Sequence, residues 1–508
     1  MLESILEGVG KAIDGLAVGP RMDRFGLVRE VGDGIAVCEG PQDAHAGELL
    51  SFDGGGEGII FDLRERDVGC VLVSGSDTVH SGTRVRTTGR IADVPVGEEV
   101  IGRVVNALGI PLDGGPAIET KERLPVEREA PGIADRGPVN TPLHTGSKAV
   151  DSMIPLGRGQ RELILGDRST GKTAIAIDAI LNQQGEDVVC IYVSIGQKVA
   201  ATARVIQSLR DGGAMKYTVV VVADSADPPG LQYIAPYAGT SIGEHLAASG
   251  RDVLIVYDDL TKHAHVYRQI SLLFRRPPGR EAFPGDVFYI HSRLLERSMR
   301  LSDEKGGGSL TALPIVETKA GNISAYVPTN LISITDGQIY LDSKIFHQGQ
   351  RPAIDVGRSV SRVGGKTQLP AVRAVAHSLK LEYAQFQEVE VFTKFGAQLE
   401  EATLQRIARG QRIREILKQP RLRPVRVGLL VGILMAANEG LLDDIPTDEV
   451  QLFEENLLEE LPRRAGELLE ELGQGQDLDE EKAGQLKAVL RDIRTLWGSE
   501  GHESTQTS

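Results

Sequence analysis

Short apolar runs, separated by turns that contain glycine, make up the N-terminal part of the chain. They recur about every ten residues, as the strands of a small β-domain do. The runs are GLVREV (26–31), GIAVCE (34–39), GIIFDL (58–63), GCVLV (69–73) and TRVRT (83–87). This pattern predicts a small antiparallel barrel or sandwich over residues 1–88.

An amphipathic stretch precedes these runs. Its apolar residues fall on one helical face and are Leu2, Ile5, Leu6, Val9 and Ile13. We expect a short N-terminal helix that packs on the protein's own core or on a partner helix. The stretch also contains acidic residues, which argues against a secretory signal.

The middle of the chain has a different pattern, in which continuous Val, Ile and Leu runs alternate with helical stretches. The runs are ELILG (162–166), VVCIYVS (188–194), YTVVVVAD (217–224) and DVLIVYDD (252–259). Parallel strands give such runs because helices cover both faces of their sheet. We therefore predict an α/β domain over residues 89–368.

After about residue 370 the apolar spacing becomes helical. Buried-face positions at i, i+3 and i+4 are Leu404, Ile407 and Ala408, followed by Ile413, Ile416 and Leu417. The segments LLEEL (457–461) and ELLEEL (467–472) continue this spacing. The pattern predicts a C-terminal helical bundle over residues 369–508 that ends in a disordered polar tail.

Charge and cysteine content narrow the class of protein. The chain of 508 residues has a formal net charge of −15, which argues against a general nucleic-acid binder. Most of this charge lies between Glu439 and Glu480. Three cysteines without paired spacing argue against a disulfide framework or a zinc ribbon.

No segment is apolar for long enough to span a membrane. The longest apolar stretch, Val427 to Ala437, has 11 residues, whereas a span needs about 20. We expect a cytosolic chain whose membrane link is made through partners.

The segment GDRSTGKT (166–173) fits the phosphate-binding P-loop pattern G-x-x-x-x-G-K-[ST]. A predicted strand precedes it and the helical KTAIAIDAILNQQ (172–184) follows it, as the motif requires. We expect Lys172 to reach the outer phosphates and the Thr173 hydroxyl to ligate Mg²⁺. The alternative is an ordinary glycine-rich turn. The predicted phosphate-binding residues are Gly166, Asp167, Arg168, Ser169, Thr170, Gly171, Lys172, Thr173 and Ala174.

Two acidic residues end the strand DVLIVYDD, where open α/β sheets bind ligands. We predict that Asp258 belongs to the magnesium shell; the alternative for such a pair is a helix cap. His263 and His265 have a metal-like spacing but no third ligand nearby, so we interpret them as a helix-face pair.

Four segments of the chain carry a more specific signal than the P-loop alone. They are TGSKAVDSMIPLGRGQRELILGDRSTGKT (145–173), PPGREAFPGDVFYIHSRLLERS (277–298), PTNLISITDGQIYLDSKIF (328–346) and PAIDVGRSVSRVGG (352–365). In these segments and in their order, the sequence resembles the alpha subunits of F-type ATP synthases, and the resemblance covers residues 24–495. It implies a β-barrel crown, a RecA-like P-loop domain that binds Mg-ATP, and a C-terminal helical bundle. It also implies a ring of three alpha and three beta subunits around a rotating stalk.

Gln197 indicates which role this chain has in such a ring. By resemblance, catalytic beta subunits carry a Glu after the corresponding strand, where it activates the attacking water. An amide cannot accept that proton, although it can orient a water. The resemblance therefore implies a non-catalytic nucleotide site. It also makes Arg362 an arginine finger for the neighbouring beta subunit; without the resemblance, a surface or salt-bridged arginine would be expected.

The resemblance also implies an adenine pocket and marks where this chain departs from its family. The predicted pocket residues are Phe346, Arg351, Pro352 and Gln419. Ser169, Ala174 and Arg421 replace residues common in the family, which puts the affinity and base preference of the pocket in question.

By resemblance, the chain is a regulatory subunit on the cytoplasmic face of the cell membrane. Its expected partners are beta subunits, the central stalk gamma subunit and the peripheral stalk delta subunit, with no nucleic acid. The acidic C-terminal surface is either a solvated face or a contact for basic stalk partners. A self-sufficient export-type ATPase and a Rho-like RNA translocase remain as alternatives.

Overall fold

The structure is a computed structural model that describes residues 25–40, 43–393 and 400–500. The predicted N-terminal helix and most of the predicted polar tail lie outside the described residues. The chain forms two compact units, which divide between Ile91 and Ala92. In the described part of the chain, no helix is long and apolar enough to cross a membrane.

The first unit is a closed barrel of six antiparallel strands in the order β1-β2-β5-β4-β3-β6. The strands are β1 (Gly26–Gly32), β2 (Ile35–Glu39), β3 (Glu48–Phe52), β4 (Glu57–Leu63), β5 (Asp67–Ser74) and β6 (Arg84–Ile91). Inward side chains such as Val28, Leu50 and Leu72 form its core. Closure pairs both sheet edges, and it decides between the barrel and the sandwich that the pattern allowed.

The second unit is built on an eight-stranded sheet in the order β18-β17-β12-β16-β15-β13-β14-β8. All neighbours in it are parallel except β17 and β18. Two small sheets, β7-β9 and β10-β11, accompany it. The strands are β7 (Asp93–Val96), β8 (Val104–Asn106), β9 (Glu122–Pro125), β10 (Pro142–Leu143), β11 (Leu156–Gly157), β12 (Leu163–Asp167), β13 (Val188–Gln197), β14 (Thr218–Asp224), β15 (Asp252–Asp258), β16 (Ser309–Thr318), β17 (Gly337–Leu341) and β18 (Val360–Ser361).

Helices connect the strands of this sheet, and in the described residues after β18 further helices follow up to residue 500. Those among the strands are α1 (Lys148–Met153), α2 (Lys172–Leu181), α3 (Val199–Asp211), α4 (Pro229–Ala248), α5 (Leu260–Leu273), α6 (Val287–Leu295), α7 (Tyr326–Ile334) and α8 (Ser343–His347). The C-terminal helices are α9 (Pro370–Thr393), α10 (Glu401–Ile416), α11 (Val427–Asn438), α12 (Val450–Gly473) and α13 (Glu480–Glu500). The predicted order of barrel, α/β region and helical region is confirmed.

One predicted core position of the C-terminal helices is wrong. Ile407, Ile413 and Ile416 of α10 are buried, as their spacing predicts, but Leu404 is 52% exposed. Leu404 lies in the first turn of α10, before the apolar stripe of that helix reaches the core. The helical period was therefore right, and the stripe begins one turn later.

Arg297 ties three segments of the second unit together from a fully buried position. Its Nε and Nη2 donate to the two carboxylate oxygens of Glu244 at 2.8 Å each. Nη1 donates to the Val126 carbonyl at 2.8 Å, and Nη2 also donates to the Ser241 hydroxyl. A buried guanidinium is tolerated because its donors are matched in this way.

Replacing Arg297 with alanine should leave Glu244 buried without its main partner. We expect Arg297→Ala to lower the free energy of unfolding by about 3–5 kcal/mol, measured by denaturant titration with circular dichroism. The control is Arg463→Ala, which removes an exposed ion pair with Glu460 and should cost less than about 1 kcal/mol. Equal losses in the two variants would contradict this role.

Candidate functional site

The P-loop connects the end of β12 to the start of α2. Gly171 has a φ of 104° and Ser169 a φ of 64°, so the loop uses left-handed backbone at two positions. Gly166 is needed for a different reason, because a Cβ there would lie 2.6 Å from the Leu341 carbonyl oxygen. The turn brings its backbone and the N-terminus of α2 to the same place, as an anion site requires.

Lys172 is held at this turn by the backbone. Its Nζ donates to the carbonyl oxygens of Gly166 at 2.9 Å and Asp167 at 2.6 Å. Burial lowers the pKa of the Lys172 ammonium, while Glu317 and Asp259 act to raise it. The ammonium therefore lies at the loop, with carboxylates around it that favour the charged form.

Asp167, a predicted phosphate-loop residue, uses its carboxylate to fix the loop. It accepts from the Thr318 hydroxyl at 2.7 Å, the Gly321 amide at 2.9 Å and the Ser343 hydroxyl at 2.7 Å. Burial raises the pKa of Asp167, but these hydrogen bonds outweigh it and the net shift is downward. The carboxylate is thus a structural anchor of the P-loop.

The Asp258 carboxylate is the meeting point of three elements. Its Oδ2 accepts from the Thr173 hydroxyl of α2 at 2.8 Å and from the Tyr192 hydroxyl of β13 at 2.7 Å. Its Oδ1 accepts from Nε2 of Gln197 at 2.8 Å. The parallel register of β13 and β15 aligns Ser194 with Asp258, which brings Gln197 within reach.

Asp259 is a helix cap, which was the alternative considered for this pair of acidic residues. Its Oδ1 accepts from the Lys262 backbone amide at 2.8 Å and caps the N-terminus of α5. Burial and the neighbouring Asp258 raise the pKa of Asp259 to about 6. The two acids therefore divide the two functions: Asp258 contacts the P-loop threonine, and Asp259 caps a helix.

The side-chain amide of Gln197 is engaged at both ends. Its nitrogen donates to Asp258, and its oxygen accepts from the Lys262 ammonium. Lys262 also lies 3.6 Å from the Asp259 carboxylate. Gln197 is thus part of a hydrogen-bonded chain that spans the carboxyl ends of β13 and β15.

A cavity of about 780 Å³ lies beside the P-loop, and we call it the P-loop cavity. It is lined by segments that are far apart in sequence: the P-loop with α2, the loop after α8, residues 418–425 and α12. The predicted residues that line it are Ser169, Thr170, Gly171, Ala174, Phe346, Arg351, Pro352 and Gln419. The structure thus brings the P-loop residues and these later segments around one cavity, and their role as a base pocket remains a prediction.

Three of the predicted pocket residues, Phe346, Arg351 and Gln419, are held in place by contacts within the chain. The Arg351 guanidinium lies over the Phe346 ring, 4.7 Å from its centroid. The Gln419 amide donates to the Gly146 carbonyl at 2.7 Å, and its oxygen accepts from the Lys148 amide at 2.9 Å. Gln419 therefore shapes the wall of the P-loop cavity through backbone contacts.

Asp167 and Arg168 border a second cleft of about 440 Å³, which shares Ser169, Thr170 and Phe346 with the P-loop cavity. Arg362 lies apart from both, directly after β18, and is exposed. Its guanidinium donates to the carbonyl oxygens of Thr335 at 3.0 Å and Ile332 at 3.2 Å. It thus sits at the end of α7 and does not line the P-loop cavity of its own chain.

Of the two histidines with a metal-like spacing, His263 lies in the protein interior beside another histidine. His263 on α5 is fully buried, and its Nδ1 lies 3.2 Å from Nε2 of His291. Burial lowers the pKa of His263 to about 4, so the ring is neutral. Within the described ranges there is no group of three or more His, Cys, Asp or Glu side chains that could hold a metal.

Sequence reasoning missed several polar residues of the site. Asp178 lines the P-loop cavity and accepts from the Leu422 amide at 2.7 Å. Its signal was visible as a lone acid in the apolar run AIAIDAIL. The buried ion pair between Lys148 and Glu454, which also lines the cavity, joins residues 306 positions apart and has no local signal.

A parallel sheet with a P-loop between β12 and α2, and an acid at the end of β15, defines a P-loop nucleotide-binding protein. Residues 146–361 match the nucleotide-binding domain of the ATP synthase alpha/beta family, and residues 368–493 match the C-terminal domain of its alpha/beta chains. The ATP synthase subunit alpha of Aquifex aeolicus (strain VF5) is 52% identical over 488 residues, which cover 96% of this chain and 97% of that relative. The chain belongs to the ATP synthase alpha/beta family. The resemblance drawn from its motifs is thereby confirmed, as is the prediction that it is part of an ATP synthase enzyme.

The environment of Asp178 predicts a dependence of stability on pH. Burial raises the pKa of Asp178 to about 6, whereas an aspartate in an unfolded chain titrates near 4. The folded chain therefore holds this proton more tightly, so its protonation stabilises the fold at pH 4 and this stabilisation is lost as the pH rises to 6.

We expect Asp178→Asn to remove this pH dependence, because the amide is neutral and can still accept from Leu422. Between pH 4 and 6 the wild type should lose on the order of 2 kcal/mol relative to the variant. Denaturant titrations of both proteins across this range measure the difference. A difference that stays constant with pH would refute the predicted titration.

Proposed function

We propose that this chain is the regulatory, non-catalytic, nucleotide-binding alpha subunit in the soluble head of a rotary F-type ATP synthase. The complex would make ATP from ADP and phosphate by using a transmembrane ion gradient. Support comes from the family match over the nucleotide-binding and C-terminal domains and from the near full-length relative named as an alpha subunit. The division into domains 1–88, 89–368 and 369–508 is part of this proposal.

The surroundings of Gln197 carry the non-catalytic assignment. Hydrolysis needs a group that takes or directs a proton from the attacking water, and such help is typically worth about 10²–10⁴-fold in rate. An amide cannot accept that proton. Both ends of this amide are also already bonded, to Asp258 and to Lys262. The position therefore favours a site that retains its nucleotide.

Thr173 and Asp258 fit a magnesium ion at the phosphates. Their oxygens are adjacent, 2.8 Å apart, and oxygen ligands are those that Mg²⁺ prefers. Mg²⁺ usually takes only one or two protein carboxylates and fills its shell with water and phosphate oxygens. The pair would hold the ion, whose chemistry is to neutralise phosphate charge. Lys172 and the P-loop amides would bind the phosphates themselves.

Arg362 is proposed to act on the nucleotide of a neighbouring beta subunit. Its exposure and its position away from the P-loop cavity of its own chain suit a role in trans. The hydrogen bonds to the carbonyls that end α7 would hold the guanidinium in one place. A guanidinium delivered in this way stabilises the charge that develops on the transferring phosphoryl group.

The wider assembly follows from the same proposal. The chain would alternate with beta subunits in a ring of three and three, and would contact the gamma and delta stalk subunits. It would lie peripherally on the cytoplasmic side of the cell membrane and reach the membrane only through the complex. Hydrogen ion transport would then belong to the assembly, with this chain supplying a regulatory site and an arginine.

The proposed arginine finger predicts a defect that appears only in the assembly. We expect Arg362→Ala to lower ATP turnover of the assembled complex by about 10³–10⁵-fold, because the phosphoryl charge loses its partner. Nucleotide binding by the isolated variant chain should be unchanged in calorimetric titration. The control is Lys366→Ala, which removes an exposed cation four positions away and should leave turnover intact. Loss of binding by the isolated Arg362→Ala chain would instead place Arg362 in its own site.

A further inference from the structure

The P-loop cavity has a phosphate end and a base end, and α2 sets the distance between them. Gly171, Ala174 and Asp178 line the cavity from successive turns of one helical face. From Lys172 to Asp178 the helix rises about 9 Å. A nucleotide whose phosphates lie at the P-loop would therefore place its base near Asp178.

The base end of the cavity joins apolar surface to two charged groups of opposite sign. Phe346, Pro352 and Val425 supply the apolar part of the wall. The charged groups are Asp178 and Arg421, which both line the same cavity. An apolar slot with a few convergent polar groups is the usual form of a site that selects one ligand.

Arg421 and Asp178 each keep hydrogen-bonding capacity for a ligand. The exposed guanidinium of Arg421 has no hydrogen bond or ion pair to any residue that the structure describes. Asp178 uses Oδ1 to accept from the Leu422 amide. Its Oδ2 has no hydrogen-bond partner in the described ranges. The Leu422 contact also fixes the backbone next to Arg421, so one hydrogen bond holds the Asp178 carboxylate beside the segment that carries the arginine.

The two purines present different edges to such a pair. Guanine offers two acceptors, O6 and N7, which a guanidinium binds with two parallel hydrogen bonds, and its N1 and N2 groups are donors. Adenine offers the acceptor N7 beside the donor N6, so it can satisfy a guanidinium only once. A free guanidinium together with a carboxylate therefore matches guanine at both groups and adenine in part.

We propose that Arg421 and Asp178 extend the base specificity of this site to guanine nucleotides, with Arg421 on the acceptor edge and Asp178 on the donor edge of the base. The inference rests on the proposed function as a nucleotide-binding subunit and specifies which bases that site accepts. It makes Arg421 a specificity-determining residue.

Calorimetric titrations of the full-length chain with Mg-ATP and Mg-GTP at pH 8, where Asp178 is ionised, test the proposal. We expect the dissociation constant for Mg-GTP to lie within about tenfold of that for Mg-ATP. Arg421→Gln should weaken Mg-GTP roughly 5- to 150-fold, the range of one bidentate arginine–guanine contact, and change Mg-ATP by less than about threefold. Asp178→Asn, which keeps an acceptor for Leu422, should also weaken Mg-GTP more than Mg-ATP.

A matched control is Arg406→Gln, which removes an exposed arginine of α10 that does not line the cavity and should change neither affinity. Binding of Mg-ATP without Mg-GTP would overturn this inference and leave the proposed function standing. Equal weakening of both nucleotides by Arg421→Gln would overturn it too, because the arginine would then act on the shared phosphates. Failure of the wild type to bind either nucleotide would overturn the proposed function itself.

Discussion

The convergence of three side chains on the Asp258 carboxylate organises the site. It requires that β15 end beside both the P-loop helix and β13, which the parallel order of the sheet provides. Thr173, Tyr192 and Gln197 then donate to one carboxylate. The hydrogen bonds to Asp258 and Lys262 restrict the rotation of the Gln197 side chain. The neighbouring Asp259 caps the N-terminus of α5. The proposed magnesium ligand Asp258 and the helix cap Asp259 thus lie at adjacent positions of one strand end.

The P-loop and four strands of the central sheet could be predicted from sequence because their patterns are local. The P-loop needs glycine where the backbone turns or packs closely, so its spacing survives as a readable pattern. Continuous apolar runs identified β12 to β15 because these strands are buried on all sides. The pattern missed β16 and β17, whose segments SLTALPIVET and GQIYL carry polar residues or follow a turn that breaks the run. Asp258 was predicted for the magnesium side, and the contact of its carboxylate with Thr173 and the capping of α5 by Asp259 are what the structure adds.

Long-range contacts were the part that sequence could not supply. The wall of the P-loop cavity includes α12, which brings Glu454 into a buried pair with Lys148. Glu454 belongs to the acidic segment between Glu439 and Glu480, so that segment is not simply a solvated face. Further along α12, Glu460 is instead paired with Arg463 and Arg464 near the surface. One carboxylate of the acidic segment, Glu454, therefore lines the P-loop cavity. Burial raises the pKa of Glu454, and the neighbouring Lys148 ammonium opposes this shift.

The central claim is that this site holds a nucleotide and does not hydrolyse it. The most direct measurement loads the purified chain with Mg-ATP labelled at the γ-phosphate, removes free nucleotide, and follows the chemical identity of the bound nucleotide over hours. The account predicts that the bound label stays as ATP in the absence of any partner subunit. Steady conversion to ADP and phosphate by the wild-type chain alone would contradict it.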